Sequence, residues 1–322
     1  MDLGHGAMGP VTNHIHQFLA GIFFLGPLTL PSAFAGVVFH RSEIPIYAEI
    51  VKIGPNIEEH FFGVNVDLGL NKKTRLILDT GSQGVVLFRN ISGALNEGNY
   101  PINIRYHGLE VEGHRTSMRI NFSGVTRNVE VAVGDLVRTC CSTSLLEKFD
   151  GVLGIGSGGD LENPLSGFAP RWIIDLPRRS DRVGHLILDP RESELGLYTM
   201  LSAVSDTYRS FLVHGCLKSL MRQLEECHAI IFDTGSQSIF SSPATAGVKD
   251  ILGDGYFMIR LDAKNAGPFT WNVNYVQGSP QQGQSASSSL FVGRLVLGWT
   301  AFRDFSVLYD YDHGTVGIRR RP

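Results

Sequence analysis

Two stretches decide how this chain folds: Arg75–Phe88, RLILDTGSQGVVLF, and Ala229–Phe240, AIIFDTGSQSIF. In each, a short apolar run reaches Asp-Thr-Gly-Ser-Gln and then turns apolar again. The run before each Asp is of strand length and apolar on consecutive residues, the pattern of a strand buried on both faces. The Gly two residues after each Asp marks a sharp turn with close backbone approach. A second pair of stretches follows, FDGVLGIG (Phe149–Gly156) and RLVLGWT (Arg294–Thr300). Each holds two apolar residues and a glycine, Val152-Leu153-Gly154 and Val296-Leu297-Gly298, and these glycines stand 75 and 65 residues after their respective aspartates. A repeat of this kind predicts two homologous lobes, each with one Asp turn and one apolar-apolar-Gly strand.

The composition agrees with such an architecture. A chain of 322 residues, 43% hydrophobic and 18% charged, has enough material for two lobes or one large domain. Its 37 glycines and 19 phenylalanines, with many Val/Ile/Leu runs, predict strands joined by tight turns, an all-β protein. A formal charge of −3 gives no electrostatic reason for nucleic acid or an anionic membrane as partner. No metal-ligand cluster is apparent, and no cofactor is expected. The polar stretch Gly278–Ser289 reads as a long mobile surface loop, and Arg171–Asp189 as the crossing between lobes.

The N-terminal segment reads differently. Phe18–Phe39 carries no charge and includes Ala33-Phe34-Ala35, the small-x-small pattern of signal-peptidase sites. Pro27 and Pro31 disfavour an uninterrupted membrane helix. No Lys or Arg precedes the run, which is long enough to span a bilayer. A cleaved signal over 1–35, an uncleaved membrane anchor and a buried strand therefore stay open. The first two both take the rest of the chain out of the cytoplasm, so the expected location is secreted or periplasmic, with membrane contact only if the segment is uncleaved. Four cysteines, Cys140, Cys141, Cys216 and Cys227, allow three pairings. Leu217, Leu220, Met221 and Leu224 fall on one helical face between the last two cysteines. A continuous helix there would hold Cys216 and Cys227 about 16 Å apart, beyond bonding reach; a hairpin would let them bond.

Two carboxyls brought within hydrogen-bond distance cannot both ionise, so Asp79 and Asp233 are expected to share a proton. The ionised member can take a proton from a bridging water while the protonated one polarises a carbonyl. Gly81 and Gly235 let backbone N–H groups approach the carboxylates. Ser82 and Ser236 can bond the outer oxygens, and Thr80 and Thr234 can brace one turn against the other.

In these motifs the chain resembles the pepsin-like (A1-type) aspartic peptidases from about Phe61 to the C-terminus. LVLGWTAFRDFSVLYDYDHGTVGI (Leu295–Ile318) is similar to the closing segment of that family. The resemblance implies a bilobal all-β fold with a cleft between lobes, and catalysis by Asp79 and Asp233. It implies a monomer acting on polypeptide substrate with apolar residues around the scissile bond. It divides the chain into a short segment over 36–60, an N-terminal lobe over 61–190 and a C-terminal lobe over 191–322. Tyr106, His107 and Gly108 resemble the substrate-covering flap hairpin. The chain departs from the family pattern at His107, where Gly is usual, at Val86, where Trp is usual, and at Trp299, where Asp is usual. About two dozen residues separate Ala35 from Phe61, fewer than the usual inhibitory prosegment. A non-catalytic relative binding peptides in the same cleft is the alternative; such relatives usually lose a catalytic Asp or a turn Gly, and this chain keeps both.

Overall fold

The computed structural model describes residues 39–322 apart from 55–56, 70–72, 90–94, 107–108, 123, 140–143, 157–160, 179–182, 205–210, 238, 243–245 and 275–292. The 1–35 signal reading, Cys140, Cys141 and the 278–289 loop therefore lie outside the described residues.

The first half of the chain forms β1 (Ser42–Gly54), β2 (Ile57–Asp67), β3 (Lys73–Asp79), β4 (Gln83–Leu87), β5 (Leu95–Tyr106), β6 (Leu109–Phe122), β7 (Val125–Thr139), α1 (Ser144–Lys148), β8 (Gly151–Ile155), β9 (Arg171–Asp175) and β10 (Val183–Leu188). The second half forms α2 (Glu192–Leu195), β11 (Thr199–Met200), β12 (Val213–Ser219), β13 (Glu225–Phe232), β14 (Ile239–Ser242), α3 (Ala246–Gly253), β15 (Tyr256–Leu261), β16 (Phe269–Asn274), β17 (Arg294–Leu297), α4 (Trp299–Asp304), β18 (Phe305–Asp310) and β19 (Thr315–Arg320). The all-β expectation holds. Among the described residues no helix is long and apolar enough to cross a membrane.

The repeat read from the sequence is a repeat of strand pairing. β3 runs parallel to β8, with Asp79 opposite Gly154, and β4 returns antiparallel along the other side of β8. In the second half β13 runs parallel to β17, and β14 returns antiparallel along it. Each apolar-apolar-Gly strand thus lies between the two arms of its Asp turn. The strands that lead to the aspartates, β3 and β13, are also flanked on both sides and need apolar residues on both faces, and Leu76, Ile77 and Leu78, like Ile230, Ile231 and Phe232, are all buried. Each such side chain withdrawn from water contributes about 1.5–3 kcal/mol. The glycine has a steric reason: a Cβ at Gly154 would lie 2.7 Å from both the Gln83 nitrogen and the Ser82 hydroxyl.

These units sit in two sheets. A 13-stranded sheet has the order β11-β19-β18-β9-β10-β1-β2-β3-β8-β4-β7-β6-β5, and a six-stranded sheet the order β14-β17-β13-β12-β15-β16. The stretch Arg171–Asp189 supplies β9 and β10, an antiparallel pair held between β18 and β1. The large sheet therefore joins strands from the beginning, middle and end of the chain.

Cys216 and Cys227 face each other across the β12–β13 hairpin and form a disulfide. The four apolar residues do not share one buried face as a helix would need: Leu217 enters the core while Leu220 and Met221 are exposed at the turn. Closing an eleven-residue separation stabilises the fold by about 2–3 kcal/mol in the chain-entropy picture.

Candidate active site

Asp79 is the last residue of β3, and Asp233 follows the last residue of β13. Each carboxylate accepts the backbone N–H of the glycine two residues on: Gly81 N–H to Asp79 Oδ1 and Gly235 N–H to Asp233 Oδ1, both at 2.8 Å. The glycines also make room for the opposite aspartate. A Cβ at Gly81 would meet Asp233 Cγ at 2.5 Å, and one at Gly235 would meet Asp79 Oδ1 at 2.7 Å. Neither glycine has positive φ, so it is proximity, not backbone conformation, that requires them.

Thr80 and Thr234 are buried between the turns. Thr80 N–H donates to Thr234 Oγ1 at 3.1 Å, and Thr234 N–H to Thr80 Oγ1 at 2.9 Å. In return Thr80 Oγ1 donates to the Phe232 carbonyl at 2.8 Å and Thr234 Oγ1 to the Leu78 carbonyl at 2.7 Å. Four bonds lock the turns together and use every backbone N–H and hydroxyl donor of the two threonines, as an interior with little water requires.

The aspartates are not equivalent. Asp233 is 3% exposed, whereas Asp79 is half-buried. Burial pushes the Asp233 carboxyl well above the ordinary aspartate range, and the neighbouring charge of Asp79 and a hydrogen bond with it push the same way. Ser236 Oγ, which donates to Asp233 Oδ2, and the Gly235 N–H pull in the opposite direction without prevailing. The buried carboxyl of the pair is thus the one whose charged form is disfavoured, as expected for a carboxyl desolvated beside another.

The serines divide. Ser236 reaches its aspartate, but Ser82 Oγ is buried without a hydrogen-bond partner. Its turn runs directly into β4, which leaves the Ser82 hydroxyl over the Cα of Gly154. Tyr106 ends β5 opposite Leu109 in the β5–β6 hairpin, at the edge of the large sheet; His107 and Gly108 lie outside the described residues. Val86, where the family pattern has Trp, is a buried residue of β4.

Three residues at the site escape the motif reading. The Gln237 carboxamide grips the His60 backbone, with its Oε1 accepting the His60 N–H at 3.1 Å and its Nε2 donating to the His60 carbonyl. This ties β2 to the Asp233 turn. The His60 ring lies 5.3 Å from that of Trp299, whose backbone N–H donates to the Ser236 carbonyl. Repetition of Gln after both DTGS turns was the available signal for Gln237. Tyr309, inside the closing segment, donates from its hydroxyl to the Phe232 carbonyl at 3.1 Å; nothing in the sequence separates it from an ordinary core tyrosine.

Neither a protein-family model nor a curated protein sequence matches this chain. Among solved structures it is similar to the crystal structure of the aspartic proteinase from Irpex lacteus. The TM-score is 0.61 at 14% identity, over 87% of this chain and 97% of that one. At that identity the likeness speaks for the fold alone, and the chain has the bilobal pepsin-like fold of an aspartic proteinase.

Proposed function

We propose that this protein is an aspartic endopeptidase that hydrolyses extended polypeptides with a water held between Asp79 and Asp233. The observation that carries the reading is the unequal pair itself: a buried Asp233, its pKa pushed well up by burial and by the neighbouring Asp79, beside the more exposed Asp79. Burying a carboxyl beside another carboxylate is costly, and such sites concentrate where chemistry uses them.

In this mechanism Asp79 takes a proton from the water as its oxygen bonds to the scissile carbonyl carbon, and Asp233 gives its proton to the carbonyl oxygen. The tetrahedral species collapses as the C–N bond breaks. Asp79 then passes its proton to the departing nitrogen, and Asp233 recovers one from the hydroxyl that becomes the new carbonyl. The turn N–H groups and the threonine brace hold the carboxyls in place through both steps.

The β5–β6 hairpin ending at Tyr106 would serve as the flap over substrate, with apolar residues preferred around the scissile bond and the exported protein acting as a monomer. The uncharged N-terminal run supports export through a signal.

The test is cleavage of a denatured protein at acidic pH by the purified chain and by Asp79→Asn and Asp233→Asn. Wild type should cleave and be stopped by a statine-type inhibitor that mimics the tetrahedral species. Each single variant should lose nearly all activity and the double variant little more, because the pair acts as one unit. A folded wild type that binds such an inhibitor but cleaves nothing would favour the peptide-binding relative instead.

A further inference from the structure

The two Asp turns are related by repetition, but the structure supports them unequally. On one side the Leu78 carbonyl receives Thr234 Oγ1. On the other the Phe232 carbonyl receives both Thr80 Oγ1 and the Tyr309 hydroxyl. Among the described residues no phenol reaches the Leu78 carbonyl. The added bond falls next to Asp233, the aspartate that is buried.

Tyr309 comes from β18, in the large sheet, and is 1% exposed. Its ring stacks on Trp172 of β9 with centroids 6.3 Å apart and meets Phe211 edge-on at 5.0 Å. A ring held on two sides aims its hydroxyl in one direction, and a buried hydroxyl without an acceptor costs free energy. Burial pushes the phenol far above its usual range, and the charges of Asp233 and Asp79, one from each turn, add to this. Tyr309 therefore remains a neutral donor at every pH at which the pair titrates. The Phe232 carbonyl becomes a junction of three parts: the first turn through Thr80, the second through its own chain, and the large sheet through Tyr309.

We propose that Tyr309 is a positioning residue for the aspartate pair: by clamping the Phe232 carbonyl from the large sheet, its hydroxyl fixes the Asp233 carboxyl in its dry position against Asp79. It touches neither substrate nor the reacting atoms. Its effect passes through the backbone immediately before Asp233. Without the hydroxyl, the turn loosens, water reaches Asp233, and the upward push that burial gives its carboxyl weakens.

The kinetic arm of the test rests on the peptidase reading, and the titration arm does not. Tyr309→Phe keeps the ring between Trp172 and Phe211 and removes the hydroxyl alone. Carboxyl carbon NMR shifts of the aspartates, followed against pH in wild type and variant, give the two apparent constants of the pair. The upper constant should fall by about half a unit or more in Tyr309→Phe. On a peptide substrate kcat should fall about tenfold, the scale of one hydrogen bond, with KM unchanged. A folded variant that melts lower but keeps the wild-type titration overturns the proposal, and so does wild-type kcat. If the wild type itself cleaves nothing, the peptidase reading falls and the titration alone judges Tyr309. An upper constant that moves still supports the clamp, and one that stays overturns it.

Discussion

Thr80 and Thr234 exchange backbone-to-hydroxyl hydrogen bonds at 3.1 and 2.9 Å, and each hydroxyl donates to the carbonyl preceding the other's aspartate. The exchange is symmetric in pattern but not in backup, because the Phe232 carbonyl also receives Tyr309. Thr234→Val leaves the Thr80 N–H unpaired and deprives the Leu78 carbonyl of its side-chain donor. Thr80→Val leaves the Thr234 N–H unpaired while Phe232 keeps a donor. At about 1–3 kcal/mol for each stranded buried group, Thr234→Val should be the more destabilising of the two. The double variant should cost less than the sum, since both changes dismantle one network. Denaturant unfolding of the three variants measures this, and equal costs for the two single changes would count against the asymmetry.

Asp233 makes stability depend on pH with a definite sign. Its folded pKa is raised above the ordinary aspartate value of 3.8, so between those two values the native state binds a proton that the unfolded chain does not. The associated stability is fully present below the ordinary value and is lost as pH rises through the folded one. Asp233→Asn removes the titration and, being isosteric, keeps the packing. The melting temperature of the variant relative to wild type should therefore be higher at about pH 7 than at about pH 4. A constant difference across that range would mean that Asp233 titrates normally.

Gly81 and Gly235 test the approach of the two carboxyls. A methyl at Gly81 would lie 2.5–2.7 Å from all three carboxyl atoms of Asp233, whereas one at Gly235 would lie 2.7 Å from Asp79 Oδ1 and 2.9 Å from its Cγ. Overpacking of this kind costs about 1–3 kcal/mol. Asp233 is enclosed and has nowhere to move, while the half-buried Asp79 can swing toward solvent. Gly81→Ala should thus lose more stability than Gly235→Ala. Each should reduce cleavage about a hundredfold, the usual consequence of displacing a reacting group by about an ångström. Thermal melts and kcat for both variants supply the comparison.

The residues of the site divide according to how far their partners lie along the chain. RLILDTGSQ and AIIFDTGSQ determined two doubly buried strands and two tight turns, and their repetition gave the expectation that Asp79 and Asp233 act together, because local burial patterns and a repeat are properties of sequence. Gly81 and Gly235 were legible as turn glycines and Gly154 as part of the repeated apolar-apolar-Gly pattern, whereas the atoms that crowd them came from the fold. What the tertiary structure decided is everything that depends on which atoms meet across the interior. Cys216 and Cys227 bond because β12 and β13 fold back on each other, an outcome that the helical spacing of Leu217, Leu220, Met221 and Leu224 left open. Ser82 and Ser236 occupy matching places in the repeat, yet only Ser236 reaches a carboxylate, because the first turn runs straight into β4. Asp79 and Asp233 end similar strands in identical DTGSQ motifs, and only folding makes one dry and the other half-exposed. Tyr309 lies 77 residues from the carbonyl it holds, and no periodicity reports such a bond. Sequence carries the strand and the turn because those depend on neighbours. The ionisation of the pair depends on desolvation, which is set by whatever the rest of the chain packs around it.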